Sequence, residues 1–591
     1  MSDARQAEGV GLRARGRSVA LRGAVWAAAV LASVWREGWR LHEFNLAEAL
    51  FLLAPLIVVP LGLPAAVVPH RDGRASPLLR AIRGLLFVGG LALAPAVALE
   101  LPSPVRLLLG VPYFLFAAAA ALYGVVRLAG RSAFLLEEVA VDLSLLCLPI
   151  GAVWLLAWLA DAPLLGFRGL WVLLTALHFH YAGFGALLLV GLLGRVLWQA
   201  RRSFPRGWRL YRVVAVGPML GLPLVAAGIA GARVPEVLGV SLYAVTLPLI
   251  APLLYVGCIQ GRGHLGWPLY GSVLAVLVST AFAATWGLFR PPFVTLSLML
   301  FVHGALNSLG FVGLGLLGLR RYDPPSRANP AGVVFSRLSS RGRTGPRFFE
   351  SLAPVGGAKP SGLVDDFTEY ARPDFDPLRV HPEVRRFYEQ TADYSLWVVS
   401  DWKRGFRRGG RVWRWLARQM QQLVLPEDAG LQRHGVKGAI VAVDDAADGR
   451  ERVRGWIRTF ASGGTPIYVA AYASHVLHGV RYMNIAFPLP FSNLTSILRL
   501  DHDAAEGGLA LTSCAIEDAP GGDQGVYLAN RLLPCRTPFN ETIRVWAAAE
   551  TPATEPPCDD PSVVLRAKHE LWLFGLKYLE LHYFIARRSQ A

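Results

Sequence analysis

The chain has 591 residues, of which 53% are hydrophobic and only 17% charged, against roughly a quarter charged in an ordinary soluble domain. That balance excludes a disordered chain, a coiled coil and a simple soluble enzyme. The formal net charge of +17 reads as positive-inside topology and attraction to anionic headgroups, not nucleic-acid binding, because the arginines before residue 320 sit in short loops between apolar runs.

Crossing a bilayer core takes about 20 apolar residues. In chain order, runs of that kind cover approximately 18–35, 46–69, 82–101, 105–128, 134–160, 169–194, 211–233, 235–256, 268–289 and 292–319. The first is short and carries Arg22 near its start, where a long side chain can snorkel. Loop charge favours ten helices. Arg5, Arg13, Arg15 and Arg17 precede the first run, Arg71, Arg74, Arg80 and Arg83 follow the second, and Arg127 and Arg131 follow the fourth. Arg195, Arg201, Arg202, Arg206, Arg209 and Arg212 follow the sixth, and Arg320 and Arg321 end the last. The alternate loops are poor in positive charge, as expected for an inner-membrane protein with both termini cytoplasmic.

Ionisable residues at membrane depth cost several kcal/mol and normally face a partner, a cavity or a substrate path. Three runs carry them. In FLLEEVAVDLSLL, Glu138 and Asp142 share one helix face at i, i+4, as a proton relay or cation site would require, although Glu137 and Glu138 also suit an acidic interfacial end. In LTALHFHYAGFGALLL, His178, His180 and Tyr181 fall near mid-membrane. The two histidines are two residues apart, so they point about 200° from each other and cannot serve one metal. In FVHGALNSLGFVGLGLLG, His303 and Asn307 face together, beside a glycine-rich surface suited to close helix packing. A proton-coupled solute or lipid path fits these residues. The alternative is a metal- or haem-dependent membrane enzyme using His178 or His180 with His303. The bland reading is a set of histidines satisfied one by one by interhelical hydrogen bonds.

Residues 1–321 therefore form a multi-pass domain. Residues 322–362, rich in Pro, Gly, Ser and Arg, read as a flexible cytoplasmic linker, and 363–591 as a cytoplasmic α+β domain that binds lipid or another ligand. HPEVRRFYEQTADY and GGRVWRWLARQMQQLVL have helical spacing. Around the second, Lys403, Arg404, Arg407, Arg408, Trp413 and Trp415 form a basic, tryptophan-bearing stretch suited to a membrane surface. VKGAIVAV, PIYVAAYASHV, VRYMNIAFPLPF, LTSILRLD, GLALTSC, GVYLANRLL and ETIRVWAA read as strands. The last segment, SVVLRAKHELWLFGLKYLELHYFIARR, reads as a long amphipathic helix with Leu565, Trp572, Leu576 and Leu579 on one side. A curved sheet gripping that helix, as in START-like lipid-binding domains, is the fold analogy. No Walker A or GxSxG motif is present, and the five cysteines form neither a disulfide framework nor a zinc site.

EALFLLAPLIVVPLGL, TALHFHYAGF and FVHGALNSLGF in the membrane half, with YMNIAFPLPFSNLTSILRLD and FNETIRVW in the soluble half, resemble the bacterial YndJ-like membrane proteins. The resemblance spans most of the chain. The resemblance implies an integral membrane protein of a group sometimes described as transporters, with no settled activity and no catalytic residues to transfer. The expectation is thus a transporter-like protein whose path is lined by Glu138, Asp142, His178, His180, Tyr181, His303 and Asn307. Its partners would be membrane lipids and a small solute or lipid ligand, with no nucleic acid and with the cofactor unknown.

Overall fold

The computed structural model describes residues 46–66, 77–131, 135–229, 231–262, 266–326, 333–354, 359–426, 433–477, 479–514, 522–530 and 534–588. They form two compact units, one made essentially of residues up to 330 and one of residues from 331 onward.

In the first unit, nine helices among the described residues are long and apolar enough to cross a membrane: α1 (Leu46–Ala66), α2 (Leu78–Ala98), α3 (Ser103–Ala129), α4 (Leu136–Leu159), α5 (Leu170–Gln199), α6 (Pro205–Gly228), α7 (Arg233–Cys258), α8 (Trp267–Phe289) and α9 (Leu296–Arg320). Each coincides with an expected run. The tenth, 18–35, lies outside the described residues. Helix α5 is the most enclosed of the nine. Small residues let it approach α4: a Cβ on Gly191 would stand 2.6 Å from the Glu137 carbonyl oxygen. Three helices widen locally to π-helical turns, α1 at Ala54–Val58, α5 at Phe179–Ala186, and α9 at Leu300–Gly304 and Leu306–Leu314. Such turns are rare and recur at functional sites.

The second unit is a β domain whose longer helices are α10 (Pro382–Glu389) and α11 (Arg407–Met420). Its strands are β1 (Tyr394–Trp402), β2 (His434–Ala442), β3 (Arg454–Phe460), β4 (Pro466–Leu477), β5 (Val480–Leu489), β6 (Ser492–His502), β7 (Leu509–Thr512), β8 (Gly525–Ala529), β9 (Cys535–Arg536), β10 (Phe539–Ala547), β11 (Val563–Leu573) and β12 (Leu576–Arg587). All named pairings are antiparallel. The order β5-β4-β3-β2-β1-β12-β11-β10-β7-β6 is closed by pairing of β5 with β6, which makes a ten-stranded barrel, while β8 and β9 extend from β6. Alternate residues point inward, as the two-residue strand period requires. Tyr468, Ala470 and Tyr472 of β4 and Met483, Ile485 and Phe487 of β5 join the interior cluster. Val469, Ala471 and Ala473 pack outside with Leu338 and Phe349.

Two expectations change. The final segment is a β-hairpin, not a helix. Phe574 (φ 51°) and Gly575 (φ 77°) take the two left-handed positions of a two-residue turn, and the strands pair from Leu573↔Leu576 back to Val563↔Ala586. Leu565, Ala567 and Leu571 then face the interior with period two. The second change falls in the stretch read as a linker. There Val333, Leu338 and Phe349 are buried, and Ser340 bridges to Pro490, so this part is fastened to the barrel wall.

Candidate functional site

The acidic pair on α4 meets two arginines. Glu138 accepts from Arg195 Nε at 2.8 Å and Nη2 at 2.7 Å on α5, and from Arg127 Nη2 at 2.7 Å on α3. Asp142 accepts from Arg127 Nε at 2.6 Å. All four side chains are buried. The remaining arms of the arginines donate to the carbonyls of Ala65 and Ala66, at 2.8 and 2.6 Å. Those carbonyls lie in the last described turn of α1. Among the described residues, two arginines thus pair with the two carboxylates and also donate to α1 carbonyls. This cluster ties four helices together at one end of the bundle.

The histidines lie elsewhere. Arg195 is 17 residues beyond His178 on α5, about 25 Å along the axis at 1.5 Å per residue. His178, Tyr181, His303 and Asn307 wall one cavity of about 230 Å³, together with Thr175, Thr280 and apolar residues of α7, α8 and α9. His178 Nδ1 lies 2.7 Å from the Leu174 carbonyl, which only accepts, so Nδ1 carries the proton and Nε2 is the acceptor nitrogen. His303 Nδ1 pairs with Ser279 Oγ at 2.9 Å. Tyr181 donates to the Leu50 carbonyl at 2.7 Å. Among the described residues, neither Nε2 nor the Asn307 amide has a hydrogen-bond partner.

His180 is separated from this cavity. Its Nδ1 donates to the Ala176 carbonyl of its own helix at 2.7 Å, and its Nε2 accepts from the Tyr113 hydroxyl of α3 at 2.9 Å, so both ring nitrogens are occupied away from the cavity. The 200° separation seen in the sequence thus sorts the two histidines to different neighbours. Sequence reasoning missed Arg127 and Arg195, which looked like loop charges, and Glu236, which lines the cavity and is held by Arg233 and Arg290 at 2.8 Å each. An arginine inside the last turns of an apolar run was the available signal for the first two. Among the described residues, no group of three or more His, Cys, Asp or Glu is placed to hold a metal ion.

In the β domain, the basic stretch divides. Lys403 donates to Asp401 and Glu580 at 2.6 Å each. Burial alone would lower its ammonium pKa; the two hydrogen bonds outweigh that and raise it. Arg407 Nε bonds the Trp402 carbonyl, and Trp413 turns inward, its Nε1 donating to the Leu423 carbonyl at 3.2 Å. Arg404, Arg408 and Trp415 are exposed. The barrel encloses a second cavity, of about 550 Å³ and mostly apolar. Glu541 lies in its wall with His569 Nε2 at 2.5 Å. Burial pushes the Glu541 carboxyl up, but the hydrogen bond and charge of His569 dominate and leave it below the ordinary value.

The family model described as "YndJ-like protein" matches residues 49–311. A Bacillus subtilis (strain 168) protein, "Uncharacterized membrane protein YndJ", is 32% identical over 550 residues, covering 93% of this chain and 95% of the relative. No solved structure matches.

Proposed function

The chain belongs to the YndJ-like family of membrane proteins, and on that footing we propose that it moves or senses a small solute through the cavity walled by His178, Tyr181, His303 and Asn307. One observation carries the reading. Two imidazole Nε2 atoms and an unengaged amide, from two helices, converge on one cavity within the apolar helix bundle. At about 230 Å³ the space lies below the ~300–1,000 Å³ of drug-sized sites, so it suits a solute of few heavy atoms bearing hydrogen-bond donors. The π-helical turns that carry Tyr181, His303 and Asn307 support the same placement.

In this reading Glu138 and Asp142 hold helices instead of relaying protons, and His180 fastens α5 to α3. Both chain ends lie in the cytoplasm of a bacterial inner membrane, as the loop arginines favour. Arg404, Arg407, Arg408 and Trp415 meet lipid headgroups.

The test is a thermal-shift screen of small amines, amino acids and polyols on the purified protein, then proteoliposome flux of any stabilising solute. His178→Ala, His303→Ala and Asn307→Leu are expected to abolish both responses while keeping the basal melting temperature within a few degrees. Flux equal to wild type in all three variants would remove these residues from the path.

A further inference from the structure

The interior of the barrel carries an arginine without a hydrogen-bonded carboxylate. Arg458 of β3 lines the cavity with its guanidinium carbon 4.0 Å from the centre of the Trp456 ring and 4.4 Å from that of Tyr468. The rings fix its position by cation–π contact. Its Nε is buried without a hydrogen-bond partner, and no carboxylate among the described residues lies within ion-pair distance. The carboxylate that shares the cavity, Glu541, is engaged by His569. The guanidinium is half-buried and hydrogen-bonds no carboxylate, which leaves it open to an anionic group entering the cavity. Around it the wall is hydrocarbon: Leu396, Met483, Ile485, Leu511, Ala567 and Ile585 all contribute. Tyr472 and Tyr583 add hydroxyl-bearing rings to the same cavity. The volume of about 550 Å³ falls inside the ~300–1,000 Å³ range of small-molecule sites.

One end of the barrel is dressed for a bilayer. Because the strands alternate, the end of β1 with the following α11, the β5–β6 turn and the β11–β12 turn all lie at the same rim. Phe491 and Phe574 at the two turn tips are 76% and 77% exposed and both have positive φ, a conformation that bulky side chains adopt only at a cost. Helix α11 presents Val412, Trp415 and Leu416 outward among Arg408 and Arg411, while Gly409, Gly410 and Trp413 line the cavity. Exposed apolar groups among arginines are the chemistry of an interfacial helix on anionic lipid.

We propose that the barrel binds a single-chain anionic amphiphile, an acyl chain ending in a carboxylate or phosphate, with its head on Arg458 and its chain along the apolar wall, taken from the bilayer through the rim covered by α11. The test uses the full chain in phosphatidylcholine nanodiscs, with palmitic acid carrying a diazirine in its chain as the photoprobe and peptide mapping as the readout. Labelling is expected on the β5, β7 and β11 peptides and should be competed by unlabelled palmitate or by palmitoyl lysophosphatidate, the stronger competitor identifying the head. Acetate and inorganic phosphate should not compete, because they lack the chain. Arg458→Gln is expected to lower barrel labelling about tenfold, with Arg458→Lys restoring most of it. Leu511→Trp, which fills the cavity from another strand, should block labelling with Arg458 intact. Label confined to the membrane helices would overturn the proposal. So would competition by palmitoyl alcohol as strong as that by palmitate, or barrel labelling unchanged in both Arg458→Gln and Leu511→Trp.

Discussion

Replacing Glu138 by Gln removes one negative charge from a buried set of two arginines and two carboxylates. Three charge-assisted hydrogen bonds of 2.7–2.8 Å end on that carboxylate. Arg195 would be left without a carboxylate at these bonds, and Arg127 would retain Asp142 alone. Breaking a buried pair by removing one partner costs about 3–5 kcal/mol, most of it from the charge left behind. Arg195→Met should cost a similar amount, and the bond to the Ala65 carbonyl besides, worth about 1 kcal/mol. The double variant Glu138→Gln/Arg195→Met removes both charges and leaves the neutral Arg127–Asp142 pair. It should therefore be less destabilised than the sum of the singles by at least about 2 kcal/mol. Unfolding by SDS in mixed micelles, followed by tryptophan fluorescence, measures all three. Additive losses, or a Glu138→Gln protein as stable as wild type, would show that these charges are not coupled and would return Glu138 to consideration as a proton carrier.

Two further outcomes follow from burial and charge. Burial favours a raised pKa for Glu580, but hydrogen bonds to Lys403 and Lys577 prevail and hold it at about 2 against an ordinary 4.5. A depressed carboxylate stabilises the fold above its unfolded value, so that contribution is full above about 4.5 and is lost as pH falls through about 2. Near-ultraviolet circular dichroism of the full protein should show the barrel weakening over that window, with a shallower slope in Glu580→Gln; equal slopes would count against the assignment. In the membrane unit, a Cβ on Gly151 would stand 2.7 Å from the His180 ring. Gly151→Val is expected to push the imidazole off Tyr113 at a cost of about 1–3 kcal/mol, whereas Gly84→Ala, with open space around it, should be near neutral in the same melting assay.

The membrane half was legible because a run of twenty apolar residues has few alternative meanings in water. Its charges were legible only by halves. Glu138 and Asp142 stood out as acids in an apolar run, but Arg127 and Arg195 looked like headgroup anchors, since an arginine near a helix end reads alike whether it faces lipid phosphate or a neighbour's carboxylate. The sharing of one cavity by His178 and His303, 125 residues apart in the chain, is a tertiary fact with no local signature. In the soluble half, most strands announced themselves by alternation and turn residues. The final hairpin did not, because Leu565, Trp572, Leu576 and Leu579 fit a helical period well enough to mask the Phe574–Gly575 turn. Closure of the barrel rests on β1 with β12 and on β5 with β6, and the first of these joins segments nearly 200 residues apart, beyond any window of periodicity.

The clamp between Arg127, Arg195 and the carbonyl end of α1 divides the bundle mechanically. Its charges cannot part without stranding an ion in a dry interior, so that extremity behaves as a rigid pivot. The histidine chamber lies towards the opposite extremity, where widened turns have already loosened the helical ladder. A rocking of α5 that opened or shut the chamber would therefore swing about the clamped end, like the arm of a forceps joined at the base.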